Sequence, residues 1–397
     1  MDARAHCDLL LDTLRLGVAS EDHDRAGLAD RWAAAKQDVL VAHAIREGAD
    51  LWLRGRLRAE SIVLRDAPQQ ALDAAARNAR ARTMRADAAF GRVAAIFAAA
   101  GIQMVPLKST ALRRLTERLA FAGARATSDV DLLVREDDAE RAMDALRASR
   151  FTPAEKTGPW PKNHPHLEAV VDEMGVGIEV HKTTDRAIPP AEAWRRATRD
   201  AQSAEIDNLR LQLPNDTELL WHALAHAHYD ACNKVARSTF FVRLRNWLDG
   251  AVLLAGGAIE WPTVLSRLDA GELQPTELAR AWLRWAAILG GRAAPSAIVR
   301  GASTGVLDLR RLLAWRLNVY ANYPTHTRWR EKLLDESTRA EVGLPRLRKI
   351  PGDSLAAATR RSVATLAARG AYAAWRVRLA ASDRFSGGYP KPSSPLD

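Results

Sequence analysis

The sequence predicts an α+β chain, with one segment of α/β or α+β texture set between two helical regions. Three observations carry that reading. Residues 1 to about 100 are dominated by Ala, Leu and Arg, hold proline only at Pro68 and repeat apolar residues at three and four, the period of an amphipathic helix. From about residue 103 to 181 short β-type runs alternate with helical ones. After about residue 190 the helical pattern returns and holds to about 380. Four segments follow: an N-terminal helical region at 1–84, an α/β core at 85–190, a C-terminal helical region at 191–382 and a disordered tail at 383–397. At 397 residues the chain is long enough for two or three domains of roughly 150 residues each.

Each element has its own signal. "DRWAAAKQDVLVAHAIREGADLWLRGRLRAESIVLRD" and "ALDAAARNARARTMRADAAFGRVAAIFAAAGI" are the clearest early helices, and Gly101 reads as the stop of the second. "QMVPL" at 103–107 is the first β-type run, followed by a helix near 110–120 and by "DVDLLV" at 129–134. Asp137 or Asp138 starts the helix "DDAERAMDALRASR". "EKTGPWPKNHPHLE" is a loop by its Pro, Gly and His content, and "HLEAVV" and "GVGIEVHK" are further strands. In "LPNDTELLWHALAHAHYD", Asn215 or Asp216 caps a helix with Glu218 in its first turn.

Composition excludes several classes. Hydrophobic and charged contents of 47% and 27% are ordinary for a globular protein, and no run approaches the roughly 18 apolar residues of a membrane span. The start "MDARAHCDLL" lacks the order of a secretory signal, so a cytoplasmic address is expected. Two cysteines, Cys7 and Cys232, make no disulfide framework and no CxxC pair. The net charge of +10 favours an anionic partner, and from Arg346 onward ten Lys or Arg stand against three Asp. The basic amphipathic stretch "SLAAATRRSVATLAARGAYAAWRVRLAA" suits an anionic membrane, RNA or a solvated helix face. Most of the twelve Trp lie in helical patterns and are expected to pack.

The chemistry starts at "SDVDLLV". Asp129 and Asp131 are two apart, so on a strand they share a face, and two carboxylates that close repel unless a cation or hydrogen bonds compensate. Glu179, between Ile178 and Val180 in "GVGIEVHK", offers a third acid on a neighbouring strand. Hard divalent cations prefer such oxygens and keep room for substrate phosphates. His181 shares the face of Glu179, which gives it a substrate-side or supporting place. Six of the ten histidines lie at 164–228: His164, His166, His181, His222, His226 and His228. His222 and His226 have chelating i,i+4 spacing, with Asp230 four further on, but no H-E-x-x-H acid stands between them. They are expected to face the cleft or bond within the helical half.

"LKSTAL" at 107–112, "RATSDVDLLV" at 125–134 and "IEVH" at 178–181, in that order, resemble the nucleotidyltransferase superfamily with a DNA polymerase β-type core. They resemble more closely a largely uncharacterised bacterial nucleotidyltransferase family with the pattern L-K-G-x-A-L, R-x-x-S/T-D-x-D-L-L-V and v-E-l-H. "RNWLDGAVLL" and "IEWPTVLSR" look like its helical half, so the resemblance spans about residues 85 to 270. It implies a small mixed β-sheet nucleotidyltransferase core flanked by N-terminal helices and a C-terminal helical region, with a cleft between sheet and C-terminal helices. Asp129, Asp131 and Glu179 would bind Mg²⁺ or Mn²⁺, and Glu179 would also deprotonate or orient the acceptor hydroxyl. Ser109 and Thr110, with neighbouring backbone N–H groups, would hold the triphosphate, and Lys108 would neutralise it. Arg125 would contact phosphate or pair with an acid, and His181 would bind substrate. Ser109 stands where the family usually has Gly, which takes φ > 0 more cheaply.

The implied reaction is attack of an acceptor hydroxyl on the α-phosphorus of a nucleoside triphosphate, with pyrophosphate leaving. The acceptor, whether small molecule, peptide, protein or RNA, is not specified by these residues. Two competitors share parts of the pattern. A non-catalytic nucleotide- or RNA-binding protein on the same fold would not need the three acids, and a DxD glycosyltransferase would need a Rossmann-like half where this chain is helical. A phosphatase of the D-x-D-x-T type is excluded by Leu133 at the fifth position.

Overall fold

The computed structural model describes residues 3–16, 27–116, 125–154, 165–184, 188–206, 209–232, 243–301 and 308–322. The expected tail at 383–397, the basic stretch beyond Arg346, His164 and the side chains of Asp230 and Cys232 lie outside the described residues.

Helices α1 (Ala3–Leu14), α2 (Leu28–Ala34), α3 (Gln37–Arg46) and α4 (Asp50–Ala59) precede α5 (Asp66–Ala99), which at 34 residues is about 51 Å long. Its alanine content favours so long a helix, and it stops where expected, at Gly101 with φ +65°. Then come β1 (Met104–Pro106), α6 (Lys108–Thr116), β2 (Asp129–Val134), a 3₁₀ turn at Glu136–Asp138 and α7 (Ala139–Ala148). Strands β3 (Thr152–Pro153), β4 (Val170–Val171) and β5 (Gly177–His181) finish the sheet. Beyond it lie α8 (Pro190–Thr198), the hairpin β6 (Gln202–Ile206) and β7 (Leu209–Leu213), then α9 (Asp216–Cys232) and α10 (Leu244–Gly256). The described chain ends with α11 (Trp261–Asp269), α12 (Thr276–Leu289), α13 (Ser296–Gly301) and α14 (Leu309–Asn322). Asn215 Oδ1 accepts from the Glu218 N–H at 2.9 Å, so Asn215 is the cap of α9.

The fold is α+β, mostly helical, with a mixed sheet ordered β1-β2-β5-β4-β3. β2 and β5 run parallel, and the other neighbours are antiparallel. The period of two on β2 decides the architecture. Val130, Leu132 and Val134 point into one core with Phe90, Val93 and Phe97 of α5 and Met143 and Leu146 of α7. Leu133, on the other face, packs with Val105, Leu107, Trp194 and Ala197, so α8 covers one end of that face. Asp129 and Asp131 share the Leu133 side, which puts the carboxylates on the face opposite α5 and α7. A second, larger core joins α1 to α4 with α9, α10, α12 and α14, and Trp32, Trp52, Trp221, Trp247 and Trp282 are all buried there, as packing residues. Among the described residues no helix is long and apolar enough to cross a membrane.

One element departs from expectation. Residues 202–206 and 209–213, inside the segment read as helical, pair as the antiparallel strands β6 and β7. "LRLQL" does alternate, but so short a run between strong helices is easily lost in the helical background.

Candidate active site

Parallel pairing of β2 with β5 sets Asp131 directly opposite Glu179, and Asp129 opposite Gly177. Adjacent strands lie about 4.8 Å apart, so register alone brings two carboxylates from distant parts of the sequence onto one face. Leu133 stands opposite His181, two places further along. β1 supplies the last component. The Leu107 N–H donates to the Asp131 carbonyl at 2.9 Å, and the chain then turns into α6 through Lys108, whose φ is +45°. A non-glycine residue with left-handed backbone is uncommon and costs on the order of 1 kcal/mol or more. Here the turn aims the lysine back at the strand: Nζ donates to Asp131 Oδ1 at 2.5 Å and lies 3.5 Å from Glu179 Oε2. The positive φ therefore falls on the lysine, and Ser109 replaces the usual glycine at a position that has no such demand.

Around this pair stand two imidazoles. His181 Nε2 is 3.0 Å from Asp131 Oδ1 and 3.4 Å from Glu179 Oε2. His166 Nε2 is 3.8 Å from the same Glu179 oxygen, and its ring lies 5.1 Å from that of His181. His166 reaches the site because residues 165–167 pair antiparallel along the end of β5, with the Leu167 N–H donating to Val180 O. Its Nδ1 is 2.7 Å from Leu167 O, a carbonyl that can only accept, so Nδ1 donates there and Nε2 is the ring nitrogen nearest the acids.

The electrostatics follow from that geometry. Burial opposes ionisation of Asp131, but the Lys108 ammonium and the His181 hydrogen bond outweigh it and hold the carboxyl below its ordinary range. Burial likewise opposes Glu179, and His181, Lys108 and His166 together bring its carboxyl well below the usual value. Asp129 moves the other way, pushed up by burial and by Asp131. Lys108 and His181 are both raised, since their carboxylate partners outweigh burial. Three acids therefore share one surface, and two of them are kept ionised by a lysine and a histidine.

Among the described residues, Asp131, Glu179 and His181 place one ligand atom each within 4.8 Å of one another, the separation a single cation needs. Asp131 Oδ2 is buried and makes no hydrogen bond among the described residues, an orphaned anionic oxygen in a water-poor place. Two carboxylates and an imidazole with a free buried oxygen fit a divalent cation. Asp129 is on the same face but its carboxylate stands outside that group of three.

The remaining predicted residues distribute as follows. Ser109 and Thr110 are buried in the first turn of α6, and Thr110 Oγ1 makes no hydrogen bond among the described residues. Arg125 Nε is 2.7 Å from Asp249 Oδ1 on α10, and its Nη1 donates to Ala126 O, so it pairs with an acid of the helical half. On α9, His222 is buried and His226 half-buried; desolvation and Lys108 keep both neutral, His222 being pushed down to about 3. α9 packs against α6, the helix that Lys108 opens, which brings it beside the site. His228 Nε2 is 3.2 Å from Pro275 O and belongs to the helix packing. Neither His166 nor Asp249 stands out in the sequence as a neighbour of the acids. For His166 the one available signal is "HPHLE" leading into a strand; for Asp249 there is none, because its partner lies more than a hundred residues away.

Compared with known proteins, the chain matches over residues 33–285 a family model described as uncharacterised nucleotidyltransferase. No curated protein and no solved structure matched.

Proposed function

The chain belongs to the uncharacterised nucleotidyltransferase family, and from that premise we propose that it transfers a nucleoside monophosphate from a nucleoside triphosphate to an acceptor hydroxyl, releasing pyrophosphate. The observation that carries this reading is the in-register pairing of Asp131 with Glu179 under a shared lysine, with a buried Asp131 oxygen left over. Such an arrangement is costly to fold unless charge from a ligand completes it.

Asp131 and Glu179, with His181 beside them and Asp129 at the mouth of the strand, would hold Mg²⁺ or Mn²⁺. When bound, the metal neutralises phosphate oxygens and lowers the charge barrier to in-line displacement at phosphorus. This chain's own residues do the positioning. Lys108, freed from the acids, places its ammonium on the triphosphate, and the N-terminal end of α6 beside Asp131 presents first-turn N–H groups to anionic oxygen. Ser109 and Thr110 lie in that turn and, as expected, would hold the triphosphate with its backbone N–H groups. Glu179, 27% exposed in its side chain, is the carboxylate an entering hydroxyl meets, and it orients that hydroxyl for attack on the α-phosphorus. His181, two residues along β5 from Glu179 on the same face, steadies both acids.

The test is pyrophosphate release from each of the four nucleoside triphosphates with Mg²⁺ or Mn²⁺. Wild-type turnover that falls about 10²–10³-fold in Asp131→Asn and Glu179→Gln, with folded circular-dichroism spectra and cooperative unfolding retained, supports the reading. Wild-type protein without metal-dependent triphosphate binding or turnover would refute it.

A further inference from the structure

Arg245, in the first turn of α10, has the surroundings of a ligand-binding arginine. Four residues on, Asp249 is its natural helical partner at i+4. That carboxylate is occupied by Arg125, at 2.7 Å, and among the described residues Arg245 makes no side-chain hydrogen bond or ion pair. Its guanidinium is nevertheless partly buried, within electrostatic reach of Arg125, Arg243, Asp249 and Asp129, and also of Asp50 and His226. Desolvation and the neighbouring Arg125 and Arg243 push its pKa down to about 10, the response of a cation lacking an anion. The position is built. The Arg245 N–H donates to Glu47 O at 3.2 Å, and its stem runs over Gly48, where any Cβ would lie 2.9 Å from Arg245 Cδ. Gly48, at φ +70°, keeps that path open.

We propose that Arg245, with Arg125 alongside, is the polyphosphate clamp of the site, gripping the donor's β- and γ-phosphates on the Asp129 side while Asp131 and Glu179 work at the α-phosphorus. This rests on the nucleotidyl-transfer reading and adds to it the residue that would hold the leaving pyrophosphate. A guanidinium without a side-chain partner among the described residues, next to a second arginine, recognises an extended polyanion, for which a planar fork offers bidentate bonds.

Calorimetric titration of the full chain with inorganic tripolyphosphate in EDTA, repeated with Mn²⁺, tests the clamp. Arg245→Ala should weaken tripolyphosphate binding about tenfold or more, Arg245→Lys should recover part of it, and orthophosphate should bind weakly to all three. The ligand-free thermal midpoint of Arg245→Ala should equal or exceed the wild-type value, because an unpaired, partly buried charge is removed. Wild-type affinity in Arg245→Ala, a lowered ligand-free midpoint that accounts for the loss, or no tripolyphosphate binding by wild type would each overturn the clamp. Pyrophosphate release by wild type, with the loss in Asp131→Asn, would still stand in the first two cases, which separates failure of the clamp from failure of the reaction.

Discussion

Lys108 holds the place that a divalent ion would need. Its ammonium is 2.5 Å from Asp131 Oδ1 and 3.5 Å from Glu179 Oε2, while a metal bound to those oxygens at about 2.1 Å would sit within repulsion range of it. Metal entry therefore requires the lysine to leave, and an arriving triphosphate gives it somewhere to go. Lys108→Met should bind Mn²⁺ alone about tenfold more tightly than wild type, read by Mn²⁺ paramagnetic resonance, and should turn over more slowly because the triphosphate loses a cation. Equal Mn²⁺ affinities would show that the lysine is not the competitor. At this scale the sequence discloses residue types better than contacts. Asp129, Asp131 and Glu179 are legible because acids inside apolar strand runs are conspicuous. The bridge made by Lys108 is not, since it depends on one left-handed residue that nothing in "PLKST" announces. His181 is expected beside the acids and touches both of them, and Arg125 takes its acid-pairing alternative, with Asp249 as the partner.

The register of β2 on β5 makes the site, and the register is set by patterning: Val130, Leu132 and Val134 can enter the α5–α7 core only if Asp129 and Asp131 face away. A slip of one residue would bury both aspartates in that core. The element that backs the site, α10, is positioned by a different device. Gly250 lets α10 approach α12 so closely that a Cβ there would lie 2.4 Å from Trp282 Cη2 and 3.0 Å from Ala286 Cβ. Gly→Ala in an open helix stabilises by about 1 kcal/mol. Gly250→Ala should do the opposite and destabilise by about 1–3 kcal/mol through overpacking, measured by urea unfolding. It should also lower catalytic efficiency, because α10 carries Arg245 and Asp249. Long periodic helices and the hydrophobic strand are legible from residue spacing alone. The β6–β7 hairpin is not, because two five-residue strands carry too few periods to stand out from the helices on either side.

The larger helical core closes on itself through buried charge. Glu47, at the end of α3, is fully buried, and its Oε2 accepts from Leu244 N–H at the start of α10 (2.9 Å) and from Arg316 Nη1 on α14 (2.7 Å). Leu309, Leu312 and Leu313 of α14 are buried in the same core, so the folded unit continues past residue 285, where the family match ends. Such long-range joins are invisible in the sequence, since no local pattern pairs residues 269 positions apart. Buried histidines add a pH term. His43 is pushed down to about 4 and His222 to about 3, chiefly by burial, against about 6.5 when unfolded. Below pH 6.5 the unfolded chain takes up protons that the folded chain refuses, so this stability is present above about 6.5 and is lost as pH falls. Each group contributes up to about 1.4 kcal/mol per pH unit, and urea midpoints at about pH 7.5 and 5 should differ less in His43→Leu than in wild type. The Glu47 pair has its own signature. Arg316→Met strands an uncompensated carboxylate and should cost about 3–5 kcal/mol at pH 7, whereas Glu47→Gln/Arg316→Met, which keeps an acceptor for Leu244 N–H, should cost less than the sum of the single changes. Burial opposes ionisation of Glu47, and Arg316 with His43 overcomes it, so the folded carboxyl titrates below its ordinary value and its contribution is lost as pH falls through that lowered range. Without Arg316 the carboxyl protonates inside the fold at higher pH. The gap between wild type and Arg316→Met should therefore narrow between about pH 7 and 4.5, and a gap constant over that range would mean that Glu47 is not held as a carboxylate by Arg316.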